Sequence, residues 1–244
     1  MLIELLLAVI QSATEFLPVS SSGHLALVDL ILKQNPNLFF FTTLHLASLL
    51  AVIIFTRKEI GGLLSFRKEY RRLWIYLIIA TIPAMLFGLL FKDMIERAFS
   101  SLLFLGLAFM FTGVILFFTK FARVTGKLSL KKSLLIGIFQ ALALFPGVSR
   151  SGMTISSGMF SGIEKEKAAR FSFLMFIPVS LGAFLLELNN FYIDAGIITA
   201  FFVCVVFSLL FLNLLVFVIK KDKFWIFSIY CWIIGILSLI LFFR

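Results

Sequence analysis

The lengths of the apolar segments constrain the fold of this chain more than any other feature of its sequence. A helix needs about 20 apolar residues to cross the hydrocarbon core of a membrane, with about 17 as the usual lower limit. Ten apolar segments span residues 2–17, 24–32, 38–56, 73–91, 101–119, 133–145, 153–162, 168–188, 195–219 and 224–243. Six of them are long enough to cross by themselves, whereas those at 24–32 and 153–162 are much too short.

The composition indicates a membrane protein and argues against nucleic-acid binding. Hydrophobic residues make up 61% of the 244 residues, and the mean hydropathy is +1.12, values typical of an integral membrane protein. The formal net charge of +10 comes from Lys and Arg in short runs between apolar segments, with no aromatic-rich basic patch beside them. Membrane topology explains such runs better than a nucleic-acid partner does. Cys204 and Cys231 lie inside apolar segments, so we expect neither a disulfide nor a metal site there.

Two polar islands interrupt the apolar chain. Each contains the pattern S-x-S-G, at Ser20–Gly23 in the first island and Ser149–Gly152 in the second. A glutamine lies nine positions before each pattern, Gln11 and Gln140. In hydrocarbon such polar clusters are costly unless they serve a site. Short, broken segments at corresponding places in two halves of a chain point to a site near the middle of the membrane.

Each island follows a helical segment and precedes one that is too short to cross. We therefore predict two re-entrant helical hairpins, at 2–32 and 133–162, whose tips are the islands. Irregular backbone at membrane depth is tolerated only where protein or a wet cavity surrounds it, so the tips should be buried in the bundle.

The distribution of positive charge tests this arrangement. If both hairpins return to their own side and the other six segments cross, one face collects 17 Lys and Arg. These lie in four basic loops, at 57–72, 120–132, 163–170 and 220–223. The other face holds only Lys33, Lys92, Arg97 and Arg244. The positive-inside rule then predicts that the basic face is cytoplasmic and that both termini lie outside.

The predicted fold class is therefore an all-α polytopic membrane protein with an inverted repeat, made of two re-entrant helical hairpins plus six transmembrane helices. Each half contains one hairpin and three crossings, and because three is odd, the second half enters from the opposite side. We predict a single membrane domain, 1–244, with pseudo-repeats 1–125 and 126–244. The two tips should meet near the midplane.

The tips supply groups suited to phosphate chemistry. Arg150 is a permanent, planar cation that can grip a phosphate through two hydrogen bonds. Its neighbours Ser149, Ser151 and Gly152 suit an anion cradle. In the other tip, a serine or His24 beside the carboxylate of Glu15 can act as nucleophile or as base. Glu15 can equally bind a divalent ion that bridges phosphate oxygens.

Several of these residues also have purely structural interpretations. Glu15 can serve as the ion-pair partner of Arg150, a role compatible with catalysis. Gln11 and Gln140 can simply hydrogen-bond the opposing hairpin. For His45, within an apolar run, we favour a hydrogen bond inside the helix bundle over a functional role. His24 abuts the Ser-Gly turn, so for it we favour function.

At this point the motifs resemble a known family, the undecaprenyl-diphosphate phosphatases, which are bacitracin-resistance membrane phosphatases. The resemblance rests on the islands at 11–24 and 146–152 and on AARFSFLMFIPVSLGA at 168–183. It extends to IATIPAMLFGLL at 79–90 and HLASLLAV at 45–52, so it covers most of the chain. It implies hydrolysis of undecaprenyl diphosphate to the monophosphate at the outer face of the bacterial inner membrane, recycling the lipid carrier for peptidoglycan synthesis.

The resemblance also implies roles for residues at matching positions. Glu15 corresponds to the essential acid and to a ligand of Mg²⁺ or Ca²⁺; Arg150 corresponds to the phosphate clamp. Ser21 and His24 are the nucleophile or base candidates. The predicted substrate-binding residues are Gln11, Ser20, Ser22, Gln140, Ser149, Ser151 and Gly152. The predicted partners are the polyprenyl diphosphate lipid, the membrane and a second copy of the chain in a homodimer.

The chain departs from the family pattern at two positions. Gln11 stands where many members have a second glutamate, and Ala47 replaces a common glycine. The main alternative function is a carrier, since inverted repeats with broken helices also build transporters that could flip a polyprenyl phosphate. A second alternative, the acid-phosphatase-like lipid phosphatases, needs a histidine after the Ser-Arg pair, and none follows Arg150.

Overall fold

A computed structural model describes residues 2–32, 38–65, 67–186 and 195–243. Within these residues the chain is helical and contains no strand. The α-helices are α1 Leu2–Phe16, α2 Ser21–Leu32, α3 Leu38–Phe55, α4 Arg57–Leu64, α5 Lys68–Leu90, α6 Lys92–Phe99, α7 Leu102–Phe118, α8 Leu130–Leu142, α9 Arg150–Phe160, α10 Lys165–Leu186, α11 Ala195–Lys220 and α12 Phe227–Phe242. Short 3₁₀ turns at Thr119–Phe121 and Phe224–Ile226 follow α7 and precede α12.

The two predicted hairpins are both helix–turn–helix units. In the first, α1 has 15 residues and α2 has 12; in the second, α8 has 13 and α9 has 11. None of these helices reaches the usual length of a membrane span. The side chain of Ser149 caps the start of α9 by accepting a hydrogen bond from the Gly152 backbone N–H, which satisfies one of the free donors of a helix N-terminus.

Four helices in the described part of the chain are long and apolar enough to cross a membrane: Tyr70–Leu90, Leu102–Phe121, Ala195–Lys220 and Phe224–Phe242. A fifth span is possible if α3 and α4 count as one broken helix, bent by 77°. The break falls at Thr56, whose hydroxyl donates to the Val52 carbonyl at 2.8 Å. The sixth predicted crossing, 168–188, runs past the last described residue of α10. The structure is thus a polytopic helical bundle.

Small residues allow the long helices to pack closely. A side chain at Gly106 of α7 would meet Leu239 of α12 at 2.7 Å, and one at Gly113 would meet Trp232 at 2.4 Å. Likewise, Gly137 of α8 leaves room for the Ala80 carbonyl of α5. Close approach at small residues is the usual way in which helices associate in lipid, where no hydrophobic force drives them together.

The four basic loops meet at one end of the bundle. Arg170 forms an ion pair with Glu59, and Lys165 forms one with Asp222. The backbone N–H of Gly126 donates to the Gly162 carbonyl at 3.1 Å. These contacts agree with the charge count, which predicted that the four loops share a face. Lys33 and Arg244, which were counted on the other face, lie outside the described residues.

Candidate active site

The two hairpin tips contact each other directly through backbone and hydroxyl groups. The Gly147 backbone N–H donates to Ser20 Oγ at 3.1 Å, and the Ser151 hydroxyl donates to the Leu17 carbonyl at 3.3 Å. Ser20 has φ of 68° and Gly147 has φ of +88°, so each tip turns through a left-handed residue. For a serine this conformation is uncommon, and the hydrogen bond to Gly147 helps to hold it.

A glycine in the first tip makes this contact possible. A side chain at Gly23 would lie 2.6 Å from the Gly147 nitrogen and 2.7 Å from its Cα. Both obstacles are backbone atoms, so neither can move aside as a flexible side chain would. The sequence pattern S-x-S-G therefore has a packing reason in the first tip: glycine lets the two turns touch.

An ion pair joins the tips at their point of contact. Arg150 Nη2 lies 2.6 Å from Glu15 Oε1, and the side chains are only 16% and 6% exposed. A buried charge is costly unless it is paired and hydrogen-bonded, and here each charge neutralises the other. The structure thus brings together the acid-bearing and guanidinium-bearing turns, as the sequence predicted.

The second oxygen of the Glu15 carboxylate faces three other polar side chains. Glu15 Oε2 accepts from Ser21 Oγ at 2.6 Å and from Gln11 Nε2 at 3.0 Å. His45 Nε2 lies 3.5 Å from the same oxygen. A serine hydroxyl that donates to a carboxylate is arranged as a nucleophile beside a base, so Ser21 and Glu15 have the geometry for proton transfer.

The Arg150 guanidinium is held in place by an aromatic ring. Its Cζ atom lies 3.9 Å from the centre of the Phe176 ring, a cation–π contact that strengthens when water is excluded. Phe176 in turn packs edge-on against Phe16, with ring centroids 6.0 Å apart. Glu15 and Phe176 together hold the guanidinium in position.

Beside this ion pair lies a cavity of about 330 Å³, which we call the tip cavity. Its lining comes from both hairpins, from α3 and α10, and from the end of α6. The lining residues are Glu15, Ser21, Ser22, Thr42, His45, Leu46, Phe99, Gln140, Ala143, Leu144, Arg150, Phe176, Val179, Ser180 and Phe184. The cavity therefore combines one cation, one carboxylate and several hydroxyls with a largely apolar wall.

The predicted site residues fall into two groups. Glu15, Ser21, Ser22, Gln140 and Arg150 line the tip cavity. The remaining predicted residues, apart from His24, hydrogen-bond to the protein itself and do not line it: Gln11, Ser20, Ser149, Ser151 and Gly152. Direct contact of this second group with a phosphate stays a prediction, whereas their part in building the two turns is visible.

His24 belongs to the first tip but does not line the tip cavity. Its Nδ1 lies 2.7 Å from the Ser20 carbonyl oxygen, and its Nε2 lies 2.7 Å from the Tyr230 hydroxyl. The ring also stacks on Tyr230 and meets Phe109 edge-on. Both ring nitrogens thus have partners, and the imidazole connects the turn at Ser20 to α12.

Among the cavity residues that were not predicted as functional are a histidine and two phenylalanines. For His45 we expected a hydrogen bond inside the helix bundle; its Nδ1 lies 3.0 Å from the Phe41 carbonyl oxygen, one turn earlier in the same helix. His45 also lines the tip cavity. Phe176 is one of 32 phenylalanines, so nothing in the sequence distinguishes it. Phe99 is the last residue of the short helix α6, and nothing in the sequence distinguishes it either.

The donor set fits a divalent cation only if substrate oxygens supply much of the coordination. No group of three or more His, Cys, Asp or Glu among the described residues is arranged to hold a metal ion. The tip cavity does offer the Glu15 carboxylate, and Gln140 Oε1 is buried without a hydrogen-bond partner. One carboxylate, an amide oxygen and phosphate oxygens make a set that Mg²⁺ accepts in proteins.

Comparison with known proteins identifies relatives over nearly the whole chain. The family model described as bacitracin resistance protein BacA matches residues 4–237. A Thermotoga petrophila protein named undecaprenyl-diphosphatase is 44% identical, with 96% of this chain and 98% of that protein covered. Proteins of the same name from Thermosipho africanus and Methanococcus maripaludis strain C6 are 43% and 40% identical. These alignments cover 96% and 93% of this chain, and 97% and 95% of the relatives.

Proposed function

This chain belongs to the bacitracin resistance protein BacA family, and on that basis we propose that it hydrolyses undecaprenyl diphosphate to undecaprenyl phosphate and inorganic phosphate. The observation that carries the proposal is the set formed by Arg150, Glu15 and Ser21. Two contacts of 2.6 Å link these residues, and all three line one cavity. The set supplies a phosphate-binding cation, a base and a nucleophile within one small volume.

The tip cavity suits a diphosphate attached to an apolar chain. Arg150 can exchange its contact with Glu15 for a terminal phosphate oxygen, because a guanidinium binds phosphate and carboxylate in the same way. The apolar wall provided by Leu46, Val179 and Phe184 would receive the start of the prenyl chain. Most of that chain can stay in the surrounding hydrocarbon.

In the proposed reaction, Ser21 Oγ attacks the terminal phosphorus and its proton passes to Glu15 Oε2. The bond from that phosphorus to the bridging oxygen breaks, and the lipid leaves as the monophosphate. The leaving lipid monophosphate takes that proton from Glu15. Water then attacks the phosphorus of the phosphoserine, one of its protons passes to Ser21 Oγ, and its hydroxyl leaves with the phosphorus as inorganic phosphate, which restores Ser21 and Glu15. Arg150 stabilises the charge that develops on the phosphoryl oxygens, the term that dominates phosphoryl transfer.

Two alternatives to this nucleophile stay open in the proposal. His24 would have to leave Tyr230 and turn toward the tip cavity before it could attack or act as a base. Water activated by Glu15 could also attack directly, without a phosphoserine. Trapping the phosphorylated enzyme and locating the modified residue distinguishes the three routes, since direct attack by water leaves no residue modified.

We also propose Mg²⁺ or Ca²⁺ as the cofactor, which the Glu15 carboxylate and Gln140 Oε1 would hold. A bound divalent ion supplies Lewis-acid neutralisation of the diphosphate charge. Gln11, which donates to Glu15, is an amide and not a carboxylate, so among the lining residues of the tip cavity Glu15 is the carboxylate available to an ion. The substrate should therefore bring much of the coordination itself.

The proposed setting is the inner membrane, with six crossings, an inverted repeat, a cytoplasmic basic face and both termini outside. The lining of the tip cavity supports access from the outer side. Phe99, in the loop region assigned to that side, lines the cavity, and no described residue of the four basic loops does. Homodimer formation stays a prediction.

Phosphate release by the purified protein tests the proposal. The detergent-solubilised protein is assayed with a C15 or C55 prenyl diphosphate, alongside Glu15→Gln and Arg150→Ala. Loss of release in both variants, with Arg97→Ala as an exposed-cation control that retains activity, supports the enzyme. Release that is indifferent to both substitutions refutes the site. The relatives' names give no support to the alternative of a polyprenyl-phosphate flippase.

A further inference from the structure

Two further cavities lie away from the tip cavity, toward the basic face. The first of them, which we call the basic-face cavity, has a volume of about 550 Å³. Its lining includes the charged residues Glu59, Lys127, Glu164, Lys167 and Arg170. Its other lining residues are Leu73, Val124, Gly126, Leu128, Ile163, Phe171 and Leu174.

Among the described charged groups that line the basic-face cavity, one cation and one carboxylate oxygen have no partner. Arg170 is paired with Glu59, and Lys167 is paired with Glu164. Lys127 has no ion-pair partner in the part of the chain that the structure describes. Glu59 Oε2, the oxygen away from Arg170, is buried without a hydrogen-bond partner. A ligand that satisfies both needs carries an anion for Lys127 and a hydrogen-bond donor for Glu59.

An apolar groove of about 540 Å³ continues from this cavity along α5 and α10. Leu174 lines both, and the neighbouring pairs Glu59–Ile60 and Leu73–Trp74 contribute one residue to each. Among the described residues that line the groove, none offers a free polar side chain to a ligand. The Thr81 hydroxyl donates to the Leu77 carbonyl, and the Trp74 indole N–H donates to the Leu63 carbonyl.

The length of the groove matches one leaflet of a membrane. On α5 its lining runs from Trp74 near the basic face to Met85, which at about 1.5 Å per residue is about 16 Å. That is about half of the roughly 30 Å hydrocarbon core. One acyl chain from the leaflet at the basic face fits such a groove, whereas a long prenyl chain would extend far beyond it.

We propose that the basic-face cavity and the apolar groove together form a binding site for a phospholipid with an anionic phosphate headgroup that also carries hydrogen-bond donors. The phosphate pairs with Lys127, a headgroup donor reaches Glu59 Oε2, and one acyl chain lies in the groove. The site is separate from the tip cavity because α10 stands between them. Phe176, Val179 and Ser180 face the tip cavity, whereas Ile177 and Leu181 face the groove.

Native mass spectrometry of the full chain in detergent tests the site, with phosphatidylglycerol as probe and phosphatidylcholine as the neutral comparison. We expect the protein to retain one phosphatidylglycerol in preference to phosphatidylcholine. Lys127→Ala should weaken retention about fivefold, equivalent to about 1 kcal/mol for one basic residue near a lipid surface. Ile78→Trp, which fills the groove, should weaken it by about tenfold or more.

Matched controls separate the site from general lipid contact. Lys131→Ala removes an exposed cation from the same basic loop, and Ile75→Trp adds the same ring to α5 outside the groove. Both should keep retention within about twofold. Equal retention of the two lipids, or equal losses in all four variants, overturns the proposal.

Competition experiments identify the occupant. Displacement of phosphatidylglycerol by millimolar inorganic phosphate would indicate an anion site without a lipid role and would overturn the proposal. Displacement by equimolar prenyl monophosphate would overturn it in favour of the product lipid. Phosphate release from prenyl diphosphate is measured in the same samples; its absence would count against the proposed hydrolysis and would leave the lipid result unaffected.

Discussion

The ion pair between Glu15 and Arg150 makes a quantitative prediction about stability. Replacing Arg150 with Met leaves the Glu15 carboxylate, which is 6% exposed, buried without its cation. Removing one partner of a buried pair typically costs about 3–5 kcal/mol. Replacing Glu15 with Gln strands the guanidinium and should cost a similar amount. The double variant leaves no unpaired charge, so it should be more stable than either single variant.

Unfolding of the purified protein in mixed micelles measures this cycle. The coupling free energy between the two positions should be at least about 2 kcal/mol, near the upper range for residues in contact. The exposed pair formed by Lys92 and Glu96, 3.6 Å apart with side chains 74% and 63% exposed, provides the control. Lys92→Met should cost no more than about 1 kcal/mol, because solvent screens exposed pairs.

Additive costs in the Glu15 and Arg150 cycle would refute the reasoning. They would mean that each charge is solvated or partnered independently and that the tips do not depend on each other. All three variants should lack phosphate release, since each removes the base or the phosphate-binding cation. Stability and activity thus report separately on the contact and on the chemistry.

The remaining predictions concern the first tip and the cofactor. Ser21→Ala should lower the rate of phosphate release by at least about 100-fold without unfolding the protein. Ser22→Ala keeps the contact between Ser21 and Glu15 and should lower the rate by less than about tenfold. Equal effects of the two substitutions would exclude Ser21 as nucleophile. Gly23→Ala forces a Cβ against the Gly147 backbone and should destabilise the protein by about 1–3 kcal/mol, whereas Gly61→Ala, with open space around it, should not destabilise it. Chelation of divalent ions should suppress release, and added Mg²⁺ or Ca²⁺ should restore it; activity that resists chelation would remove the cofactor from the proposal.

The sequence predicted the contact between Glu15 and Arg150 because hydrocarbon tolerates few polar groups. A carboxylate and a guanidinium inside apolar segments must be neutralised, so the pairing of Glu15 with Arg150 follows once the tips are assumed to meet. The short lengths of α2 and α9 follow equally from the segment lengths. The match to the family motifs then supplied the chemistry that composition could not.

The tertiary structure decided which members of each motif face the tip cavity. Ser20, Ser21 and Ser22 are consecutive, yet only Ser21 and Ser22 line the cavity, because the left-handed turn at Ser20 directs its hydroxyl to Gly147. The two histidines also differ from expectation. His45, for which we expected a structural hydrogen bond, lines the cavity, whereas His24, for which we expected a functional role, contacts Tyr230 and does not line it.

The sequence by itself determined the membrane class, the broken segments and the charged pair, since all three depend on the cost of polar groups in hydrocarbon. Only the tertiary structure decided the orientation of each hydroxyl and imidazole and the contact of the Phe176 ring with the Arg150 guanidinium. Those choices depend on the φ angle of single turn residues and on contacts between helices far apart in the chain. A local sequence pattern determines neither the turn angles nor those contacts.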